Sequence, residues 1–408
     1  MDVKSGCQQV KNRCIAILFE KYVLLLQRIY CGECMIFLYL SCILISMEVE
    51  TTRHKVAIYL FDIRNRNVGL GEFEWQLGSE LARRAGTLRR QHGIELTFIV
   101  PKKYVGQFGD EVRYIALTPL LRCMVRYSSE RFDICHLTQQ MSKLKFMRNA
   151  GVNLMTVHDI NFMYEKSGHK LERRKRKFAK ALKRADVLTY ISQFVKSDVE
   201  AHFSPRMEGS VIYNGVTDLN DVHGDISRFG IADGYLFHIS SLLPKKNVHK
   251  LVEMMRYLPD ERLVVVGNLS TEYISGIKAK IAEWRLTNVI MLENVSNEEK
   301  AELYRHCKAF LFPSLCEGFG LPPLEAMYFG KPVFLSSLTS LPEVGGANAY
   351  FFDNLNEENM ALTVREGLAD FYSRPEEAAE AVRRHAASFT WSHCAESYIQ
   401  LYLKLLKR

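Results

Sequence analysis

Residues 313–332, PSLCEGFGLPPLEAMYFGKP, leave the chain few folding options. The apolar run Ala309-Phe310-Leu311-Phe312 leads into them and reads as a short buried strand. Gly318 and Gly320 flank Phe319, then Leu321-Pro322-Pro323 leads into Leu324-Glu325-Ala326-Met327, the opening of a helix. Proline suits a first helical turn because the N–H it lacks would have no partner there. Strand, glycine turn and helix start, in that order, aim backbone N–H groups and the positive end of a helix dipole at one place, a setting for phosphate. Glu317 precedes the glycines and Glu325 lies one turn into the helix, with seven residues between them. A carboxylate at each edge of an anion-binding turn suits a ligand with hydroxyls at both ends of a diphosphate, and a nucleotide-sugar is such a ligand. The plainer alternative is a glycine turn with two solvated glutamates.

Glu-Gly-Phe-Gly-Leu-Pro, with a second Glu eight positions after the first, resembles the E-x7-E signature of the retaining GT-B glycosyltransferases of family 4. The resemblance implies that Glu317 contacts a donor sugar, that Glu325 holds the ribose hydroxyls, and that Gly318, Phe319, Gly320 and Leu321 form the diphosphate seat.

At 408 residues the chain exceeds a single core and predicts two domains. The 48% apolar and 25% charged composition is that of a soluble globular protein, and a net charge of +8 permits an anionic partner without demanding one. Residues 1–46 stand apart, holding five of the ten cysteines and a broken apolar pattern. Their longest apolar run falls short of the ~20 residues that span a bilayer, and no small-residue cleavage site follows it. Met47 is therefore expected to be the natural start, with a membrane-associating extension as the alternative. Cys31 and Cys34 have CxxC spacing but lack a second pair to complete a zinc site. The remaining cysteines are scattered, as reduced thiols in a cytosolic protein are.

A first domain is expected over residues 47–221. Lys55-Val-Ala-Ile-Tyr-Leu-Phe61 reads as a parallel strand buried on both faces. Gly69 and Gly71 then form a loop before a helix from Glu72 to Ala85. Glu74 stands where a dinucleotide fingerprint needs its third glycine, which disfavours a nicotinamide-dependent dehydrogenase. In family 4 the matching loop borders sugar and acceptor, so Gly69 and Gly71 are site candidates; a tight turn needing two glycines is the alternative. His158 and Asp159 follow the strand Val152–Val157, at the carboxyl end where open α/β sheets bind ligands. The resemblance puts His158 near the donor sugar, with a strand-capping histidine as the plainer reading. Between Lys166 and Arg184 lie ten lysines and arginines and one glutamate, with Leu171, Phe178 and Leu182 at helical spacing. This basic amphipathic helix suits an anionic membrane surface or a lipid-pyrophosphate acceptor, or is simply a solvated face. No aromatic platform accompanies it, so nucleic acid is not expected. Ser192 and the Asn214-Gly215 pair resemble groups that border the family's cleft.

The second domain is expected over 222–386, with 387–408 a helix that braces the first domain. After the strand at 235–239, Lys246 matches the family's basic contact to the donor diphosphate, with Lys245 beside it. Ser240-Ser241 replaces the more usual Gly-Arg or Gly-Thr. Gly267 ends a buried strand where a nucleotide base could approach the backbone. Ser296 and Glu299 form a capping box.

The expected fold is α/β, two Rossmann-like domains facing across a cleft. The resemblance implies a retaining transfer of a hexose from a nucleotide-diphosphate sugar to a glycan or lipid-linked acceptor. It would need no cofactor and, without an Asp-x-Asp motif, no divalent metal, and would take place in the cytoplasm or on the inner face of its membrane. A GT-B epimerase and a non-catalytic sugar-nucleotide binder are the alternatives. The intact Glu317, Glu325, His158 and Lys246 argue against the second.

Overall fold

The computed structural model describes residues 54–407 apart from 66–68, 119–128, 143 and 208. The expectations about residues 1–46, Met47 and the Cys31/Cys34 pair lie outside the described residues.

Two all-parallel sheets are present. The first has seven strands: β1 His54–Tyr59, β2 Ile94–Pro101, β3 Arg113–Leu117, β4 Phe132–Leu137, β5 Ala150–Val157, β6 Val187–Tyr190 and β7 Gly209–Val211. Their order is β3-β2-β1-β4-β5-β6-β7. The second has six: β8 Leu236–Ile239, β9 Leu263–Val266, β10 Val289–Leu292, β11 Ala309–Phe312, β12 Val333–Ser336 and β13 Tyr350–Phe352, ordered β10-β9-β8-β11-β12-β13. In each sheet the chain steps outward from one central strand and then returns to its other side. That reversal opens a crevice beyond the strands' carboxyl ends, between β1 and β4 and between β8 and β11, where such sheets take ligands. The α/β architecture of two Rossmann-like domains expected from the sequence is the one observed.

The strands form where the sequence is apolar on both sides of the pleat: β9 and β11 are buried at every position. The helix expected from Glu72 to Ala85 runs further, over Gly69–His92, and packs Phe73, Leu77, Leu81, Ala85 and Leu88 against the first sheet. Gly93 ends it with φ +62°, the left-handed conformation that closes helices at low cost in glycine. Gly69 and Gly71 thus lie in the first helical turn, not in a loop before it.

The helix Trp391–Leu406 belongs to the core of the first sheet, although it follows the second in sequence. Trp391 is 6% exposed and packs beside Phe73, a structural position. Tyr402 bonds His136 on β4 and Tyr398 bonds Thr156 on β5, both fully buried contacts. No helix among the described residues is long and apolar enough to cross a membrane.

Candidate active site

On the second-domain side, β11 delivers the chain into a turn that ends at the helix Leu321–Tyr328. Gly320 has φ +125°, and a Cβ there would meet Leu341 at 2.9 Å, so both backbone and space demand glycine. Thr339 Oγ1 accepts the Glu317 N–H at 3.1 Å, and Ser340 Oγ reaches Phe319 O at 2.7 Å. The turn is therefore fixed before any ligand arrives. Pro322 and Pro323 remove two of the N–H groups expected at the helix start, which leaves those of Gly320 and Leu321 at its mouth.

Glu317 and Lys246 form an ion pair at 2.5 Å, with side chains only 12% and 13% exposed. The Lys246 ammonium also lies 5.1 Å over the Phe312 ring. Lys245 turns the other way and pairs with Glu165 of the first domain at 2.7 Å. Burial opposes the charge on Lys245, but the Glu165 hydrogen bond and the charges of Glu165, Glu317 and Asp159 together outweigh it and raise its pKa. Glu325 is held on its own side of the helix: Lys300 lies 3.1 Å from one carboxylate oxygen and the Tyr304 hydroxyl donates to the other at 2.9 Å. Burial, then the Glu325 charge, push the Tyr304 phenol far up. A ribose reaching Glu325 would have to share it with these two groups.

On the first-domain side, His158 follows β5. Its Nε2 lies 2.8 Å from the Thr138 carbonyl, and because a carbonyl only accepts, Nε2 carries the proton and Nδ1 is the acceptor. Burial pushes the imidazole down to about 4, so the ring is neutral near pH 7. Phe73 packs against it edge-on, with centroids 4.7 Å apart. Asp159 accepts the Asn161 N–H at 3.0 Å, and burial raises its pKa. Asn214 is 4% exposed and its Oδ1 has no hydrogen-bond partner in the protein.

The carboxyl ends of the two sheets are in contact. A Cβ on Gly318 would stand 2.0 Å from the His158 carbonyl oxygen, and one on Gly69 would stand 3.9 Å from Leu321 Cδ1. Ser192 Oγ donates to Gly318 O at 2.8 Å, and Cys316 Sγ donates to Asn161 Oδ1 at 2.7 Å. His158, Gly69, Gly318, Leu321, Glu317, Lys246 and Lys245 thus gather along one seam.

Three candidates are placed for other reasons. Gly71 packs so tightly on the preceding turn that a Cβ would be 2.1 Å from Asn65 O. The side-chain direction at Gly267 is filled by Ser240 O at 2.3 Å and Leu242 Cγ at 2.4 Å, so the protein's own packing explains that glycine and no base can come from that side. Phe319 is 4% exposed and packs on Phe389, so only its backbone is offered to a ligand. Ser240, in place of the usual glycine, accepts the Leu242 N–H and donates to Nε2 of the His238 ring, whose Nδ1 proton goes to the Leu311 carbonyl, holding the loop that carries Lys245 and Lys246.

Sequence reasoning assigned no role to Glu343. Its carboxylate accepts the N–H groups of Gln193 at 2.7 Å and Phe194 at 3.1 Å, and the Tyr213 hydroxyl at 2.7 Å. It thereby caps the first-domain helix Gln193–Phe203 from the second domain. Glu343 lies in the short helix Leu341–Gly345, and nothing local to that stretch signals the contact.

The site and the paired sheets define a GT-B fold, and comparison with known proteins gives the family. Residues 80–218 match the family profile described as Glycosyltransferase Family 4, and residues 228–385 match Glycosyl transferases group 1. The chain belongs to the family 4, group 1 glycosyltransferases. It is 29% identical over 187 residues to the serotype-specific mannosyltransferase WbdA of Escherichia coli, which covers 44% of this chain and 23% of WbdA. The chain thus spans about a quarter of that relative. It is 26% identical over 261 residues to the O-antigen chain mannosyltransferase RfbU of Salmonella typhimurium, covering 62% of this chain and 70% of RfbU. The Anabaena HepE structure with UDP-glucose superposes with a TM-score of 0.63 at 18% identity, over 85% of this chain and 99% of that one, a likeness of fold.

Proposed function

We propose that this chain moves a hexose, mannose or glucose, from a nucleotide-diphosphate sugar to a hydroxyl of a glycan or lipid-linked acceptor, with retention of configuration, in the synthesis of a cell-surface polysaccharide. The observation that carries the proposal is the Glu317–Lys246 pair at the mouth of the glycine turn, whose next residue, Gly318, packs against the backbone carbonyl of His158 in the other domain. WbdA and RfbU are mannosyltransferases, which favours mannose, and RfbU acts on O-antigen chains, which favours a polysaccharide product. HepE holds UDP-glucose on this fold, which favours a nucleotide-diphosphate donor.

In this reading the donor diphosphate takes Lys246 from Glu317, and Glu317 turns its oxygens to the sugar hydroxyls. Lys246, the N–H groups of Gly320 and Leu321, and the helix dipole stabilise the charge that develops as the bond from sugar C1 to phosphate oxygen breaks. The acceptor oxygen bonds to C1 on the same face, and its proton passes to the departing phosphate. No protein nucleophile is used, unlike the paired carboxylates of retaining glycosidases. Catalysis then rests on orientation and leaving-group stabilisation, with cation charge supplied by lysine in place of a metal. In this reading His158 stands near the donor sugar, Gly69 borders sugar and acceptor, and Asn214 borders the cleft.

The helix Gly168–Leu182 buries Phe178 and Leu182 and exposes most of its basic residues. Arg173, Arg174, Arg176, Lys177 and Lys180, with Met141, line a groove of about 620 Å³. That surface suits the phosphates of a lipid-pyrophosphate acceptor or an anionic membrane, with the enzyme peripheral on its cytoplasmic face. The test is to supply nucleotide-diphosphate mannose and glucose with lipid-linked oligosaccharides and to read the anomeric configuration of the product by NMR. An α-linked product from an α-linked donor supports the proposal. Inversion, or donor hydrolysis with no transfer to any acceptor, contradicts it.

A further inference from the structure

Glu74 is completely buried, and its hydrogen bonds leave a proton to account for. Its Oε2 accepts the N–H groups of Asp62 at 2.5 Å and Ile63 at 3.2 Å. Its Oε1 lies 2.6 Å from Thr138 Oγ1, and that same hydroxyl lies 2.5 Å from the carbonyl oxygen of Tyr59. Threonine has one hydroxyl proton, and a backbone carbonyl can only accept. If the Thr138 proton goes to Tyr59 O, the proton in the other contact must come from Glu74. The order is then Glu74 carboxyl to Thr138 hydroxyl to Tyr59 carbonyl, with every donor and acceptor satisfied.

The carbonyl of the same Thr138 accepts the Nε2 proton of His158, and Phe73, next to Glu74, packs on the His158 ring. Gly71, one turn earlier, lets the helix close on the Asp62–Asn65 turn that Glu74 also grips. We infer that Glu74 is a positioning residue for His158: a neutral carboxylic acid whose proton locks Thr138 and, through its carbonyl, the tautomer and placement of the imidazole. The inference rests on the proposed role of His158 in transfer.

Burial, first, and the nearby Asp62 push the Glu74 carboxyl up to about 8, against the opposing pull of the Thr138 and backbone hydrogen bonds. The titratable groups around it are Asp62, itself 3.8 Å from Arg64, His158 beyond Thr138, and Tyr398 of the C-terminal helix against Phe73. Above that pH the proton is lost, Thr138 can satisfy only one of its two acceptors, and the support behind His158 slackens.

Glu74→Gln tests this in the full chain, because the glutamine amide donates to Thr138 at every pH while its oxygen still accepts from Asp62 and Ile63. Wild-type turnover is expected to fall about fivefold from pH 8 to pH 9, as the protonated fraction drops from about a half to about a tenth, and the Gln variant is expected to hold level. The His158 Nε2–H resonance should broaden over the same interval in wild type alone. Independently of any activity, the wild-type melting temperature should fall relative to that of Glu74→Gln as pH rises from about 5 to about 8, because a raised carboxyl stabilises only while protonated. A melting difference that does not change with pH overturns the neutral acid. A pH-dependent melting difference with superimposable activity profiles and an unchanged His158 resonance overturns the positioning role. If no donor is transferred at all, the proposed function fails, while the melting and NMR comparisons still decide the state of Glu74.

Discussion

Gly318→Ala isolates what contact between the two domains contributes to turnover. Gly318 has no positive φ, so alanine fits its backbone without strain. The obstacle is the other domain: the new Cβ would lie 2.0 Å from His158 O and 3.2 Å from the Asp159 Cβ, whereas Cβ contacts under 3.0 Å are essentially unknown. The two faces must therefore separate by about 1 Å or more, breaking the 2.8 Å bond from Ser192 Oγ to Gly318 O on the way. The Glu317–Lys246 pair and Glu325 lie wholly in the second domain and are left in place. A displacement of ~1 Å at a reacting centre costs on the order of 10²-fold in rate, about 2.7 kcal/mol of transition-state stabilisation. Steady-state kinetics should show kcat falling by that factor, while donor affinity measured by calorimetry changes little. A variant whose kcat stays within about threefold of wild type would refute the claim that this contact forms the reactive arrangement.

Glu325→Ala should weaken nucleotide-sugar binding, whereas His158→Ala should lower turnover with a smaller effect on binding; equal donor affinity for wild type and Glu325→Ala removes the ribose assignment. Burial holds His136 at about 3 and His158 and His238 at about 4, against 6.5 for a free imidazole. The unfolded chain takes up protons below about pH 6.5 and the native one does not, so stability is full above 6.5 and lost as pH falls toward 4. Each site costs ~2 kcal/mol by pH 5, and urea denaturation that is flat from pH 7 to 5 contradicts the burial of these rings. Replacing Arg173, Arg174, Arg176 and Lys180 with glutamine should release the protein from vesicles rich in anionic lipid, by ~1 kcal/mol per charge removed. Unchanged co-sedimentation would assign the basic helix to solvent.

What the sequence disclosed was local. The strands around β1, β9 and β11 were legible because burial on both faces leaves an unbroken apolar run, and the E-x7-E turn because its parts are adjacent. The edge strand Arg113–Leu117 escaped notice because it is only partly buried and mixes charge with apolar residues. The reach of the helix Gly69–His92 was misjudged because glycine reads as a loop until one sees that Gly71 is needed for close packing in a helical turn. Gly267 was given to a nucleotide base for the same reason: an invisible neighbour, Leu242, occupies the space. Lys245 with Glu165, Glu343 with the helix at Gln193, and Glu74 with Thr138 join residues 64 to 150 positions apart. Nothing in the periodicity of the chain encodes such pairs. The family resemblance supplied His158 and Lys246, but only the fold shows His158 neutral and Lys246 already paired with Glu317.

The central claim is that the seam between the domains holds a nucleotide-diphosphate sugar through Lys246 and the turn at Glu317. Calorimetric titration of the wild-type chain and Lys246→Ala with a panel of nucleotide-diphosphate sugars tests it most directly. The account predicts saturable binding of one nucleotide class by wild type and a loss of about 1.5–3 kcal/mol in the variant, the value of a charge-assisted hydrogen bond. Binding of equal strength to both proteins, or no binding by a folded wild-type sample, would contradict it.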